Sequence, residues 1–126
     1  MGTFQSPSLQ RIVFETNHAS NNLYAETLLR QLGKAKTGSA CYDSSYVALN
    51  DVLAGMKLDM KSIGIADGSG LSRKNIVSAE FMCRFLEAMM HSPCFEEYAG
   101  TLPSPGSHGT LAGNMSKSPA EIKERI

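Results

Sequence analysis

Asp67-Gly68-Ser69-Gly70-Leu71-Ser72-Arg73 is the stretch from which the rest of the chain can be ordered. Two glycines in its first four residues mark a tight turn, where the backbone needs positive φ or approaches a neighbour closely. Immediately upstream, Leu58 to Ala66 alternates loosely, with Ile63 and Ile65 on one face, which predicts a short strand leading into the turn. Downstream, Ser78 precedes Glu80 and an apolar set, Phe81, Met82, Phe85, Leu86, Met89 and Met90, at helical spacing. A hydroxyl that caps, a carboxylate at the positive end of the helix dipole and a broad apolar face together predict a strong helix. Met82, Met89 and Met90 read as its core side rather than as a partner groove.

Further upstream the chain is helical in pattern. Ser6-Pro7 is a helix-start signal, and Leu9, Ile12 and Val13 follow at helical spacing, predicting a helix over 7–17. After the polar break His18-Ala19-Ser20-Asn21, a second pattern pairs Leu23 with Thr27 and Tyr24 with Leu28 and Leu32, and Gly33 is a natural stop. Residues 34–44, polar and containing Gly38, predict a loop. Tyr46, Leu49, Val52, Leu53 and Met56 then define a third helix, weakened by Gly55 near its end.

Past the central helix, Ser92-Pro93 predicts a short helix through Tyr98, and residues 103–118 read as an extended loop. Ser118-Pro119-Ala120-Glu121 is a capping box with Pro at the first helical position, yet the sequence stops at Ile126. A helix of barely two turns is marginal alone, so the expectation is a single partial domain over 1–126, cut from something longer.

Composition narrows the function classes. Lys+Arg and Asp+Glu both number 12, and neither sign forms a block, which argues against nucleic acid or an anionic membrane as partner. No apolar run approaches the roughly 20 residues of a membrane helix, and the first ten residues lack the pattern of a signal peptide. Cys41, Cys83 and Cys94 fit neither a disulfide framework nor a CxxC metal pair and read as mostly buried small hydrophobes. His91 and Cys94 flank Pro93 in a predicted turn, without the second ligand pair a metal site requires, so no metal is expected. His18 and His108 read as loop residues. Gly68-Ser69-Gly70 lacks the frame of a phosphate-binding loop.

Two segments resemble family signatures, in the family's order. Ser20-Asn21-Asn22-Leu23-Tyr24-Ala25-Glu26 resembles the Ser-x-Asn motif of the serine-type D-alanyl-D-alanine carboxypeptidases, the class C penicillin-binding proteins, where it opens a helix reading N-L-x-A-E. Asp67 to Arg73 resembles the same family's D-G-S-G-L-S-R segment, followed as expected by Asn75-Ile76-Val77-Ser78 and a long helix. More loosely, Leu102-Pro103 to Gly109-Thr110-Leu111 is similar to the family's L-P-x-x-G-x-x-G-T-L stretch.

The resemblance implies a mainly α chain, a helical fragment of a serine beta-lactamase/transpeptidase-like domain with one short strand pair. It implies catalytic roles for Ser20, relaying a proton to the leaving amine, and for Asn22, holding the substrate amide and a lysine; the residue types alone allow both to be plain helix caps. Ser69 and Leu71 would border the substrate cleft. The implied substrate is a peptidoglycan stem peptide ending in D-Ala-D-Ala, the implied inhibitors are beta-lactams, no cofactor is needed, and the setting is the periplasm or cell envelope. No serine in the chain is followed by lysine at the third position, so the Ser-x-x-Lys nucleophile is absent. Lys36-Thr37-Gly38 spells the family's third motif, but it follows Ser20 too closely and reads as a solvated loop. By itself the chain is therefore expected to be inactive and to self-associate through apolar surface. The alternative from another class is a noncatalytic helical domain that binds a peptide or partner helix through its Met- and Phe-rich surface.

Overall fold

A computed structural model describes residues 2, 3, 5–106 and 109–113. The predicted helix at Ser118 and His108 lie outside these residues. Helices α1 (Leu9–Ala19), α2 (Asn22–Thr37) and α3 (Tyr42–Gly55) are followed by a 3₁₀ turn, Met60–Ser62, and strands β1 (Ile63–Gly64) and β2 (Ile76–Val77). Helices α4 (Ala79–Met90) and α5 (Phe95–Ala99) complete the described elements. The chain gathers into two compact units, one of residues up to Asn21 with those from Glu96 onward, the other Asn22–Phe95.

In the first unit, α1 is as long as predicted but lies two residues further on. Ser8, rather than Ser6, supplies the cap, its Oγ accepting from Arg11 N at 3.3 Å. Arg11 pairs with Glu15 one turn later and lies 5.5 Å over the Phe14 ring. The shift carries the helix through His18, which stacks on Phe14 at 4.0 Å and is not a loop residue. Asn17 Nδ2 donates to the buried Thr101 hydroxyl at 2.7 Å, tying α1 to the segment after α5.

In the second unit, α2 runs through Gly33 instead of stopping there. A Cβ on Gly33 would lie 2.4 Å from Ser45 Oγ and 2.8 Å from Ser45 Cα, so this glycine serves close approach of α2 and α3 rather than a turn. Ser45 is fully buried, and its hydroxyl donates to Cys41 O at 2.9 Å. The true stop is Gly38, with φ 80° and its N–H bonded to Lys34 O at 2.9 Å. Lys36-Thr37-Gly38 is therefore the end of a helix, where Lys34 and Lys36 suit the negative end of the dipole. The predicted 34–44 loop shrinks to four residues, and α3 begins at Tyr42.

Leu53, Leu58 and Phe81 form the buried core, with Leu49, Met56, Met60, Ile63, Ile65 and Phe85 packed against it. The two strands pair antiparallel, Ile63 opposite Val77 and Gly64 opposite Ile76. Ser78 caps α4 as predicted, accepting from Phe81 N at 3.0 Å.

Two expectations about burial fail. Phe81 is 6% exposed and Phe85 half-buried, but Met82, Leu86 and Met90 are exposed, Met90 at 63%. The inward stripe of α4 is therefore narrower than the apolar run. All three cysteines are exposed. Cys41 stands at the N-terminus of α3, where hydrogen bonds from the Ser39 hydroxyl, then the Ser44 hydroxyl and backbone, draw its thiol down to about 7. Among the described residues no helix is long and apolar enough to cross a membrane.

Candidate functional site

The 67–72 loop is built around one carboxylate. Asp67 Oδ1 accepts from Gly70 N at 2.6 Å and from Asn75 Nδ2 at 2.9 Å, and Oδ2 accepts from Ser72 N at 2.7 Å. Asn75 closes the base, its Oδ1 accepting from Ala66 N at 2.7 Å and Asp67 N at 3.4 Å. The chain from Gly68 to Asn75 thus wraps a single carboxylate, which is how an Asp followed by glycines organises a loop. The Asn75 amide outweighs the opposing effect of burial and, with the N–H groups of Gly70 and Ser72 and the Ser69 hydroxyl adding to it, holds Asp67 below the ordinary carboxylate value. Gly70 takes φ 78°, so of the two glycines it is the one that supplies the positive φ.

Gly68 is the close approach. A Cβ there would lie 2.9 Å from both Ala25 O and Leu29 Cβ, so the loop lies directly on α2. Its N–H donates to Glu26 Oε2 at 2.8 Å, and the other oxygen of Glu26 accepts from the Tyr42 hydroxyl. The Arg30 guanidinium stacks 4.4 Å over the Tyr42 ring. A further tie holds the loop entrance, Tyr46 donating its hydroxyl to Ala66 O at 2.5 Å. Glu26 thereby joins the first quoted segment, 20–26, to the second, 67–73. The sequence reading passed over it; the only available signal was a carboxylate within a matched segment.

The predicted site residues fall as follows. Asn22 is the first residue of α2 and is exposed; Ser69 and Leu71 lie in the Asp67 loop, Ser69 half-buried with its Oγ accepting from Leu71 N at 3.4 Å, and Leu71 71% exposed. A cleft of about 380 Å³ between α2, α3 and the loop is lined by Leu28, Leu29, Leu32, Leu49 and Ile65, and none of the predicted site residues lines it.

In the first unit, Ser20 closes α1 in the left-handed region, φ 51° and ψ 49°. Its own N–H and that of Asn21 both bond to Thr16 O, the latter at 3.0 Å. The third quoted segment meets α1 just before this turn, Thr110 N donating to His18 O at 3.1 Å. Gly109, at φ 92°, is required there because a Cβ would lie 2.6 Å from His18 O. Each unit thus contains a segment of the Ser-x-Asn stretch held by one of the other two quoted segments.

The chain is 31% identical over 121 residues to a D-alanyl-D-alanine carboxypeptidase of Actinomadura sp. (strain R39), covering 92% of this chain and 22% of that protein. It is 30% identical over 118 residues to penicillin-sensitive carboxypeptidase A of Dictyostelium discoideum, covering 91% of this chain and 23% of that one. Among solved structures, penicillin binding protein 4 of Haemophilus influenzae in complex with a beta-lactam superposes with a TM-score of 0.80 at 26% identity, over 90% of this chain and 27% of that one. The fold, mainly helical with one short strand pair, is thus part of a transpeptidase-like fold, and the chain spans under a quarter of the length of the curated relatives it matches. Residues 1–124 match the profile of the D-Ala-D-Ala carboxypeptidase 3 (S13) family, and with these relatives that match shows that the chain belongs to that family.

Proposed function

We propose that this chain is the Ser-x-Asn-bearing part of a serine-type D-Ala-D-Ala carboxypeptidase of the cell envelope. Its substrate is a peptidoglycan stem peptide ending in D-Ala-D-Ala, and beta-lactams acylate the same nucleophile. That nucleophile, with its activating lysine and the working Lys-Thr-Gly, is supplied from outside these residues. Its oxygen attacks the carbonyl of the penultimate D-alanine, the C–N bond to the terminal D-alanine breaks, and water then hydrolyses the acyl-enzyme. Ser20, whose hydroxyl can accept and donate, relays a proton to the leaving amine; Asn22 holds the substrate amide and the lysine. Ser69 and Leu71 border the cleft. The 126 residues alone form no covalent penicillin adduct, because they contain no Ser-x-x-Lys.

The observation that carries this reading is the backbone of Ser20. It is one of two non-glycine residues with positive φ among those described, in a helix-ending position where glycine is the usual choice. An L-residue there costs about 1–2 kcal/mol. A residue that merely ended the helix would gain nothing from a hydroxyl at that cost, whereas a proton relay requires one.

Replacing Ser20 in a full-length protein bearing this segment separates the two roles. Ser20→Gly should leave stability unchanged or raise it by about 1 kcal/mol. Turnover of a D-Ala-D-Ala peptide should fall by about 10²–10⁴-fold, as it should for Asn22→Ala. Lys36→Ala, at the end of α2, should stay near wild type. If Ser20→Gly turned over normally while Lys36→Ala abolished activity, the site would have to be redrawn around residues 36–38.

A further inference from the structure

Asn22 and Glu26 are four residues apart in α2 and so share one face of it, a turn apart. Glu26 uses both carboxylate oxygens, one on Gly68 N–H at 2.8 Å and one on the Tyr42 hydroxyl, and so bonds to the 67–72 loop and to α3 at once. Gly68 sits so close to α2 that even a methyl group would collide with Ala25 O and Leu29 Cβ. The contact therefore has little slack, and the length of the Glu26 side chain sets where the loop rests. Behind it, Arg30 stacked on the Tyr42 ring limits where that hydroxyl can go.

From this geometry we propose that Glu26 is a positioning residue for the reaction: it fixes the spacing between the start of α2, which carries Asn22, and the loop that carries Ser69 and Leu71. This rests on the reading of Asn22 given above. Glu26 touches no reacting atom. It acts by holding two substrate-contacting segments in register, an effect to which turnover is far more sensitive than folding, since a misplacement of about 1 Å can cost about 10²-fold in rate.

The test uses the full-length protein bearing this segment, with turnover of a D-Ala-D-Ala peptide expressed per site titrated by labelled penicillin, so that unfolded protein is not counted. Glu26→Asp keeps the charge but is one methylene too short to reach both partners, and Glu26→Ala removes both bonds. Each should lower kcat per titrated site by about 10–100-fold while KM changes by less than about 3-fold. Glu26→Gln can still accept from Gly68 N–H and donate to the Tyr42 oxygen, and should restore kcat to within about 3-fold of wild type. Glu26→Asp also covers the case in which Glu26→Ala does not fold. Normal kcat per titrated site in Glu26→Asp overturns the positioning role alone. A wild-type protein that penicillin fails to acylate overturns the proposed function, and the positioning role falls with it.

Discussion

The Ser20 turn and the Asp67 loop are held by opposite means. At Ser20 the bonds are main chain to main chain: Ser20 and Asn21 N–H to Thr16 O, and Thr110 N–H to His18 O. Around Asp67 nearly every bond ends on a side chain, Asp67 and Asn75 from within the loop and Glu26 from α2. Main-chain bonds survive most substitutions and fail only where a backbone is forced aside. Side-chain bonds can be removed one at a time, and those that end on carboxylates respond to acid. Both turns nevertheless share one device, a glycine pressed against a helix, Gly109 on α1 and Gly68 on α2.

That difference can be broken first at Gly109. Alanine there must adopt φ near 92° and place its Cβ 2.6 Å from a main-chain oxygen that has nowhere to retreat. The left-handed conformation and the collision together should cost about 2–4 kcal/mol in urea unfolding, the largest stability effect expected of the two turns. A cost under about 0.5 kcal/mol would mean that the 109–110 segment does not hold His18, and the backbone account of the Ser20 turn would be lost.

Gly68→Ala should cost less, about 1–3 kcal/mol, because its φ is ordinary and its two shortest approaches, 2.9 Å to Ala25 O and to Leu29 Cβ, are less severe than the 2.6 Å at Gly109. Its signature should differ too. The Gly68 amide, bonded to Glu26, should exchange with solvent faster in Gly68→Ala than in wild type, while the amides of Ser20 and Asn21 keep their protection. Uniform loss of protection at both turns would contradict their separate construction.

The smallest expected effect is that of acid on the two regions. Asp67 titrates below its ordinary value when folded, so its contribution to stability is fully present above the unfolded value and is lost as pH falls through the folded one. Below about pH 4, then, the 67–72 amides should lose protection progressively, modestly because the group is solvent-screened. None of the main-chain bonds at Ser20 involves a carboxylate, so its amides should not follow. Asp67→Asn should flatten the acid response of the loop; an unchanged response would assign it to another group.

What could be read from the residues depended on whether their role was local. Ser78 as a cap and the tight turn at Asp67-Gly68-Ser69-Gly70 were legible, because each follows from the bonding capacity of a few adjacent residues. Which glycine takes positive φ and which lies against a helix was not, since the neighbours of Gly68 are Ala25 and Leu29 on α2. Gly33 misled for an instructive reason. Helix stop and close helix packing use the same residue, and only Ser45, twelve positions later, decides between them. Reading 34–44 as a loop followed from that choice. The methionines of α4 misled similarly, since an apolar run gives the faces of a helix but not which of them a neighbour covers; Phe81 and Phe85 turned inward and Met82 and Met90 did not. Cys41 reads in the sequence as a buried hydrophobe but is exposed, just before the first turn of α3 and beside Ser39 and Ser44.

By itself, then, the sequence determined the helical class, the capped helix after Ser78, the Asp67 turn and the motifs that place the chain in its family. Those are properties of short stretches, governed by hydrogen bonds that span three or four residues and by hydrophobic period. Only the tertiary structure decided that Glu26 spans from α2 to Gly68 and Tyr42, that Gly109 lies against His18, and that Ser20 ends α1 in a left-handed conformation. The first two join residues more than fifteen positions apart, and the third lies two residues past His18, whose carbonyl the distant Thr110 N–H binds. No local propensity encodes a distance across the fold, and it is distance that positions the residues of a site.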